Sequence, residues 1–363
     1  MRSVRVDLGS RGYDVRIGAG SIAQLDEAVP LAGLADATAF VVVADRATGN
    51  TIDAVALALA RCNAVVHTIV LDVTENSKSP AVLDDLYGEL IARGVDRRGV
   101  IVAVGGGVIG DLAGYLAATY LRGIRWVGVP TTLLAAVDSA IGGKTGINHA
   151  RGKNLIGAVH QPSLVVVDST TFATLPARET VSGYGEMLKY GLALDRRLWD
   201  DLVGLAPEDI GDAQIERCVA RKAAIVSADE LDRSGQREIL NFGHTIGHAL
   251  EAATGYGYFR HGEAVVLGMR AALTLSVARG HCAADVAARA DTHLASVPVP
   301  PLPALDRLDV LAAVERDKKK SAPGRIRFVL LRDIGETVSD DAVDPAAIGT
   351  ALDELEAACA SVS

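Results

Sequence analysis

Three histidines fall within 18 residues, His244, His248 and His261, out of eight in the chain. His244 and His248 stand at i and i+4, which puts both on one face of a helix. His261 follows a turn signalled by Gly255-Tyr256-Gly257-Tyr258. On a separate helical stretch, Glu186 and Lys189 are i and i+3 neighbours. One carboxylate with two or three imidazoles from different helices has the chemistry of an open zinc site, in which N and O donors hold the ion and leave a position for a reacting oxygen. The metalloprotease pattern H-E-x-x-H is absent, because Thr245 follows His244.

Three further segments carry chemistry. Gly105-Gly106-Gly107-Val108-Ile109-Gly110-Asp111 fits G-x-G-x-x-G, follows an apolar run and opens a helical pattern. Backbone N–H groups at such a turn approach a pyrophosphate, and the helix N-terminus favours the anion. The acidic residue expected about 20 positions later is missing, but Asp45 ends an earlier strand and can take the ribose role. Pro130 to Asn154 gathers Thr131, Thr132, Asp138, Lys144, Asn148, Lys153 and Asn154. Its Gly142-Gly143-Lys144-Thr145 lacks the spacing of a phosphate loop for nucleotide hydrolysis, and its lysines suit an anionic small molecule. Arg316 to Lys320 is a basic run of the kind most often found on a solvated surface.

The elements that must position these residues change character along the chain. Ala39 to Ala44, Ala64 to Leu71, Val100 to Val104, Trp126 to Val129 and Leu164 to Val167 are continuous apolar runs, as strands buried on both faces require. Helical patterns such as Ala81 to Arg93 and Asp111 to Tyr120 lie between them, and the alternation predicts a mostly parallel sheet. After Leu175-Pro176 the pattern turns helical: Arg178 to Leu192, Asp212 to Glu230, Leu240 to Ala253 and Gly262 to Ala278, with a strand at Arg325 to Leu331. The division expected is therefore an α/β domain over 1–176 and a mainly helical domain over 177–363. A length of 363 residues agrees with two domains.

Composition excludes other classes. With 49% hydrophobic residues the chain is not disordered. A net charge of -9 argues against a general nucleic-acid binder. Cys62, Cys218, Cys282 and Cys359 are scattered, which fits inert thiols in a reducing compartment. No secretory h-region follows Met1, and no apolar run reaches about 18 residues. A cytoplasmic protein without membrane contact is expected.

Read in order, GGGVIGDLAGYLAATYLRG (Gly105 to Gly123), VPTTLLAAVDSAIGGKTGIN (Val129 to Asn148), GKNLIGA (Gly152 to Ala158), GEMLKYG (Gly185 to Gly191), LNFGHTIGHALEA (Leu240 to Ala252) and HGEAV (His261 to Val265) resemble the 3-dehydroquinate synthases, within the wider sugar-phosphate cyclase family. The resemblance covers nearly the whole chain. It implies an N-terminal Rossmann-like parallel-sheet NAD-binding domain and a C-terminal helical metal-binding domain, in a homodimer. It also implies a reaction: 3-deoxy-D-arabino-heptulosonate 7-phosphate becomes 3-dehydroquinate and phosphate, with NAD and a divalent metal, zinc or cobalt, and no net redox change.

Residue roles come from the matching motifs. The resemblance implies Glu186, His244 and His261 as metal ligands, and His248 as a histidine that either supports those ligands or contacts the substrate. It places Asp138, Lys144, Asn154, Lys189, Lys222, Arg237, Asn241 and one of Lys318 or Lys319 at substrate and catalytic positions, with Arg122 reaching the phosphate from the partner subunit. For NAD it implies Asp45, Glu75, Lys78, Gly105, Gly106, Gly107, Asp111, Thr131, Thr132, Lys144, Lys153 and Thr174. Asn154, Arg237 and Asn241 vary in cyclases whose sugar phosphates lack a carboxylate, so their presence favours the carboxylated substrate. The loop Ser227 to Gln236 is one residue longer than the common pattern. Gly185-Glu186-Met187 is also similar to aminodehydroquinate synthases, whose substrate differs by an amino group. Metal-dependent polyol dehydrogenases share the two-domain plan, but Glu186-x-x-Lys189 and the Lys144/Lys153 stretch speak against them.

Overall fold

The computed structural model describes residues 1–317 and 326–360, without the side chains of 316 and 317. The strands are β1 (Arg2–Val6), β2 (Tyr13–Ile17), β3 (Ala39–Asp45), β4 (Val65–Leu71), β5 (Val100–Gly105), β6 (Arg125–Pro130), β7 (Lys144–His149), β8 (Gly152–Val159), β9 (Leu164–Val167), β10 (Ile326–Asp333) and β11 (Glu336–Val343). The helices in the first part of the chain are α1 (Leu25–Val29), α2 (Asn50–Leu59), α3 (Pro80–Ala92) and α4 (Gly107–Thr119). Then come α5 (Ala177–Leu194), α6 (Arg196–Leu202), α7 (Asp212–Ala228), α8 (His244–Ala253), α9 (His261–Ala278), α10 (Ala284–Ser296), α11 (Arg307–Asp317) and α12 (Pro345–Ala360). Two compact units form: Met1–Leu175 with Gly211–Leu231, and Pro176–Ile210 with the chain from Asp232 onward.

In the first unit a seven-stranded sheet runs β1-β2-β9-β6-β5-β3-β4. Only β1 pairs antiparallel, with β2; the other five pairings are parallel. The apolar runs sort by alternation. Val42, Ala44, Val102 and Val104 feed one core, while Val41, Val43, Ile101 and Ala103 feed the other. Period-2 side-chain placement between two covered faces demands such runs. The β1–β2 hairpin was silent in the sequence because it alternates: Tyr13, Val15 and Ile17 point inward between partly exposed Asp14 and Arg16. The polar stretch after Gly143 forms a second hairpin, β7–β8, whose outer strand is largely exposed.

Two boundaries differ from the sequence reading. Helix α4 starts at Gly107, not Asp111, because the glycine triplet itself turns from strand into helix. The segment Gly211–Leu231 belongs to the first unit, although the division at 176 assigned it to the second. Arg2 pairs with Glu216, the Asp7 N–H donates to Ser227 Oγ at 3.0 Å, and Lys222 reaches Asp138. A change in composition cannot reveal a helix that returns to an earlier unit through such long-range bonds.

In the second unit, α5 is buried from Val181 through Ala193 and α9 from Gly262 through Leu273. Helices buried on every side over such lengths form the centre of a bundle. α8, α11, α12 and the β10–β11 hairpin pack apolar side chains into one core with α9. Leu331 N–H donates to Ser276 Oγ at 2.9 Å, which ties β10 to α9. Helix α8 begins at His244 rather than Leu240, because Gln236–Asn241 is a 3-10 segment and Gly243 takes φ 78°. None of the four cysteines forms a disulfide. Among the described residues, no helix is long and apolar enough to cross a membrane.

Candidate active site

The candidate metal ligands converge because glycines beside them let helices touch. A Cβ on Gly262 would lie 1.8 Å from the Ser182 carbonyl oxygen, and one on Gly268 would lie 2.0 Å from that of Gly243. Real side chains cannot occupy those gaps, so α9 meets α5 and the start of α8 backbone to backbone. Each ligand candidate is next to such a seam: Glu186 follows Gly185, His244 follows Gly243, His248 follows Gly247, and His261 precedes Gly262.

The geometry has the dimensions of an ion site. Glu186 Oε1 stands 3.4 Å from His244 Nε2 and 3.4 Å from His261 Nε2. Donors about 2.1 Å from a tetrahedral ion are about 3.4 Å apart. Oε1 is buried and has no hydrogen bond, while Oε2 accepts one from the Lys189 ammonium. The far ring nitrogens are held as well. His244 Nδ1 lies 3.2 Å from the Phe242 carbonyl oxygen, and His261 Nδ1 lies 3.3 Å from Glu251 Oε2. Such outer bonds turn the Nε2 lone pairs to one point. His248 completes the imidazole cluster, its ring 5.3 Å from His244 and 5.6 Å from His261.

Electrostatics agree with this donor set. Burial and the nearby Lys189 hold His244 well below the ordinary histidine value, so it is neutral as a ligand must be. Burial raises Glu186, but Lys189 and the two histidines overcome it and keep the carboxylate well below its usual range. His261 is pushed up to about 10, because Glu186 and Glu251 outweigh burial. A divalent cation takes the place of that proton in such a site. The residues therefore fit a tetrahedral, nitrogen- and oxygen-liganded divalent metal.

Elsewhere in the second unit, Lys189 is buried and committed to Glu186, a tighter engagement than its sequence expectation as a substrate residue suggested. Arg237 is buried and Asn241 half-buried, both on the 3-10 segment that leads into α8. Lys318 and Lys319 lie outside the described residues.

In the first unit, Asp45, Gly105 and Pro130 end the neighbouring parallel strands β3, β5 and β6. They share one sheet edge. The chain leaves β3 towards β4 on one side and resumes at β5 on the other, so Asp45 and Gly105 flank a topological switch point, where α/β sheets bind nucleotides. Gly106 caps α4, presenting the helix N-terminus there. Thr131 N–H donates to the Gly105 carbonyl at 3.0 Å, and Thr132 Oγ1 accepts from Ala135 N at 3.2 Å.

A second bonded set joins Glu75, Lys78, Asp111 and Asn154. The Lys78 ammonium donates to Asp111 Oδ2 at 2.6 Å and to Asn154 Oδ1, with Glu75 Oε1 at 3.9 Å. Burial raises the Asp111 carboxyl despite Lys78. Lys222 donates to Asp138 Oδ1 at 2.8 Å. Lys144 and Lys153 are exposed on the β7–β8 hairpin. Thr174 is exposed, its hydroxyl donating to the Thr171 carbonyl at 3.2 Å. Arg122 is exposed in a left-handed turn, φ 69°, between Leu121 at 50° and Gly123 at 115°.

Two participants escaped the sequence reading. Glu251 is ten residues from the imidazole it orients, across a turn, and no spacing rule links them. Asn148 stood in a polar stretch without a role, yet its amide bonds Glu75 at 2.8 Å and Asn154 at 2.8 Å.

Comparison with known proteins follows this geometry. The profile described as 3-dehydroquinate synthase N-terminal matches residues 68–182, and the profile described as 3-dehydroquinate synthase C-terminal matches residues 183–320. A 3-dehydroquinate synthase of Ruegeria pomeroyi is 42% identical over 372 aligned positions, spanning 99% of this chain and 100% of that protein. Among solved structures, a 2-deoxy-scyllo-inosose synthase complexed with carbaglucose-6-phosphate, NAD+ and Co2+ has a TM-score of 0.84 at 24% identity, a likeness of fold covering 97% of this chain and 99% of that one. The 2-epi-5-epi-valiolone synthase of Streptomyces hygroscopicus subsp. jinggangensis 5008, with NAD+ and Zn2+ bound, has a TM-score of 0.82 at 29% identity, over 94% and 96% of the two chains.

Proposed function

Since the chain belongs to the 3-dehydroquinate synthase family, we propose that Glu186, His244 and His261 hold its divalent metal and that the Asp45–Gly105 sheet edge takes its NAD. The enzyme is a 3-dehydroquinate synthase, converting 3-deoxy-D-arabino-heptulosonate 7-phosphate to 3-dehydroquinate and phosphate. The observation that supports the metal assignment is a buried, unbonded Glu186 Oε1 at 3.4 Å from two imidazole nitrogens. When bound, NAD and the metal supply a transient oxidation of the substrate's C5 alcohol and polarise its oxygen.

The chain's own groups bind, orient and shield. Gly106 and Gly107, at the start of α4, offer N–H groups to the pyrophosphate, beside Thr131 and Thr132. Asp45, Glu75, Lys78, Asp111, Lys144, Lys153 and Thr174 complete the cofactor contacts. Lys189 fixes Glu186 Oε2 and leaves Oε1 to face the ion. Arg237 and Asn241 receive the substrate carboxylate, with charge-assisted bonds from the guanidinium, and Asn154 is a substrate residue of the first unit. His248, the third imidazole of the cluster, is a substrate-side or ligand-supporting residue. Lys222, oriented by Asp138, adds positive charge for the substrate, and one of Lys318 or Lys319 is a further substrate residue. Arg122 contributes to the phosphate site of a partner subunit in a homodimer, and light scattering tests that state. The enzyme works in the cytoplasm.

Phosphate release, measured side by side, tests the substrate. The heptulosonate phosphate is expected to turn over, while its amino analogue, sedoheptulose 7-phosphate and glucose 6-phosphate give at most traces. Preferred turnover of the amino analogue would reassign the enzyme.

A further inference from the structure

Asn148 is the point where cofactor-side and substrate-side residues of the first unit are tied together. Its Nδ2 donates to Glu75 Oε1 at 2.8 Å and to the Glu75 carbonyl at 3.2 Å. Its Oδ1 accepts from Asn154 N–H at 2.8 Å, and its own N–H donates to the Lys78 carbonyl at 2.8 Å. Donors and acceptor are each used in the sense their chemistry allows, so the amide has one satisfied orientation. A flipped amide would set oxygen against the Glu75 oxygens and NH2 against the Asn154 N–H.

The bond to Asn154 matters for a conformational reason. Asn154 has φ 54°, in the left-handed region that costs a non-glycine residue free energy. The Asn148 Oδ1 bond holds that backbone, and the Asn154 side chain then meets Lys78. On the other side, the two bonds to Glu75 fix the 3-10 turn Glu75–Ser77, whose Thr74 N–H also donates to Ser77 Oγ at 3.0 Å.

We infer that Asn148 is a positioning residue with two arms, its Nδ2 holding the Glu75–Lys78 turn for the cofactor and its Oδ1 holding the Asn154 backbone for the substrate. This rests on the reading of Glu75 and Lys78 as NAD residues and Asn154 as a substrate residue.

Asn148→Asp separates the two arms. It keeps the oxygen that accepts from Asn154, removes the donors to Glu75 and sets a second carboxylate against it. The test uses the metal-loaded full chain, with NAD affinity read by titration, the substrate KM by phosphate release, and folding by thermal melting. Asn148→Asp is expected to weaken NAD binding about tenfold or more with the substrate KM changed less than about threefold. Asn148→Ala is expected to raise both constants, and the melting midpoint of either variant to stay near that of the parent. Equal effects of Asn148→Asp on both constants, or none on either, overturn the proposal, as does a loss that only follows the melting temperature. Glu75→Ala is the control: unchanged NAD affinity there overturns the cofactor reading itself and the proposal with it, whereas a loss there beside a silent Asn148→Asp overturns the proposal alone.

Discussion

At the scale of single residues, the proposed metal site depends on which oxygen of Glu186 is left open. Lys189 takes Oε2, and Oε1 faces His244 and His261 at matching distances. Glu186→Ala and His261→Ala are each expected to abolish tightly held metal, measured by elemental analysis after dialysis, while NAD affinity stays close to the parent's. Glu251→Gln is expected to weaken metal about tenfold in a chelator competition, because the ring loses its charged partner but keeps a neutral one. A second residue-scale test concerns stability. Burial opposes ionisation of Asp340, but Arg279 at 2.9 Å and His281 at 2.8 Å outweigh it and bring the carboxyl down to about 2. A depressed carboxylate stabilises the fold above its unfolded value near 3.8, and that stability is lost as pH falls through about 2. Solvent at the partly exposed Arg279 and His281 screens the pair, which leaves about 1 kcal/mol. Asp340→Asn is expected to lose that amount at neutral pH and to flatten the stability profile between about pH 4 and 2, followed by denaturant unfolding. The imidazole cluster was legible in the sequence because its members sit on one helix face and at the next helix start. Glu251 and Asn148 were not, since each acts across a turn or between hairpin and loop.

At the scale of elements, the seams between helices set the site. Gly262 lets α9 approach α5, and its N–H donates to Ser182 Oγ at 2.9 Å. Gly262→Ala would press a methyl into the Ser182 carbonyl at 1.8 Å. Overpacking of this kind costs about 3 kcal/mol or more. The variant is expected to melt well below the parent and to bind metal weakly, with Gly280→Ala, at a left-handed turn with open space around it, keeping its metal. Apolar runs made β3, β5, β6 and β9 readable. Helix α4 and the β7–β8 hairpin were partly hidden, because glycines there serve close packing, with a Cβ on Gly157 lying 2.3 Å from the Thr145 carbonyl oxygen and one on Gly114 2.4 Å from Thr145 Cγ2, and so break the apolar period. Leu240–Phe242 followed an apolar pattern that Gly243 interrupts with its left-handed backbone.

At the scale of the whole molecule, an acidic chain with a net charge of -9 still buries cations in each of its two units. Arg237, Lys189, Lys222 and Lys78 are all buried, each worth more there than on the surface. Net charge is a sum over the whole chain and carries no placement, so overall composition said nothing of the substrate. The turn towards helices near Pro176 was visible in the sequence, but the return of α7 to the first unit was not. The enzyme catalyses phosphate elimination and ring closure without net oxidation. The direct test follows phosphate, 3-dehydroquinate and the near-ultraviolet absorbance of reduced nicotinamide together, on metal-loaded enzyme given the heptulosonate phosphate. Equal amounts of phosphate and 3-dehydroquinate are predicted, over many turnovers, with no accumulation of reduced cofactor. Reduced nicotinamide accumulating in step with substrate loss, without phosphate, would contradict the account.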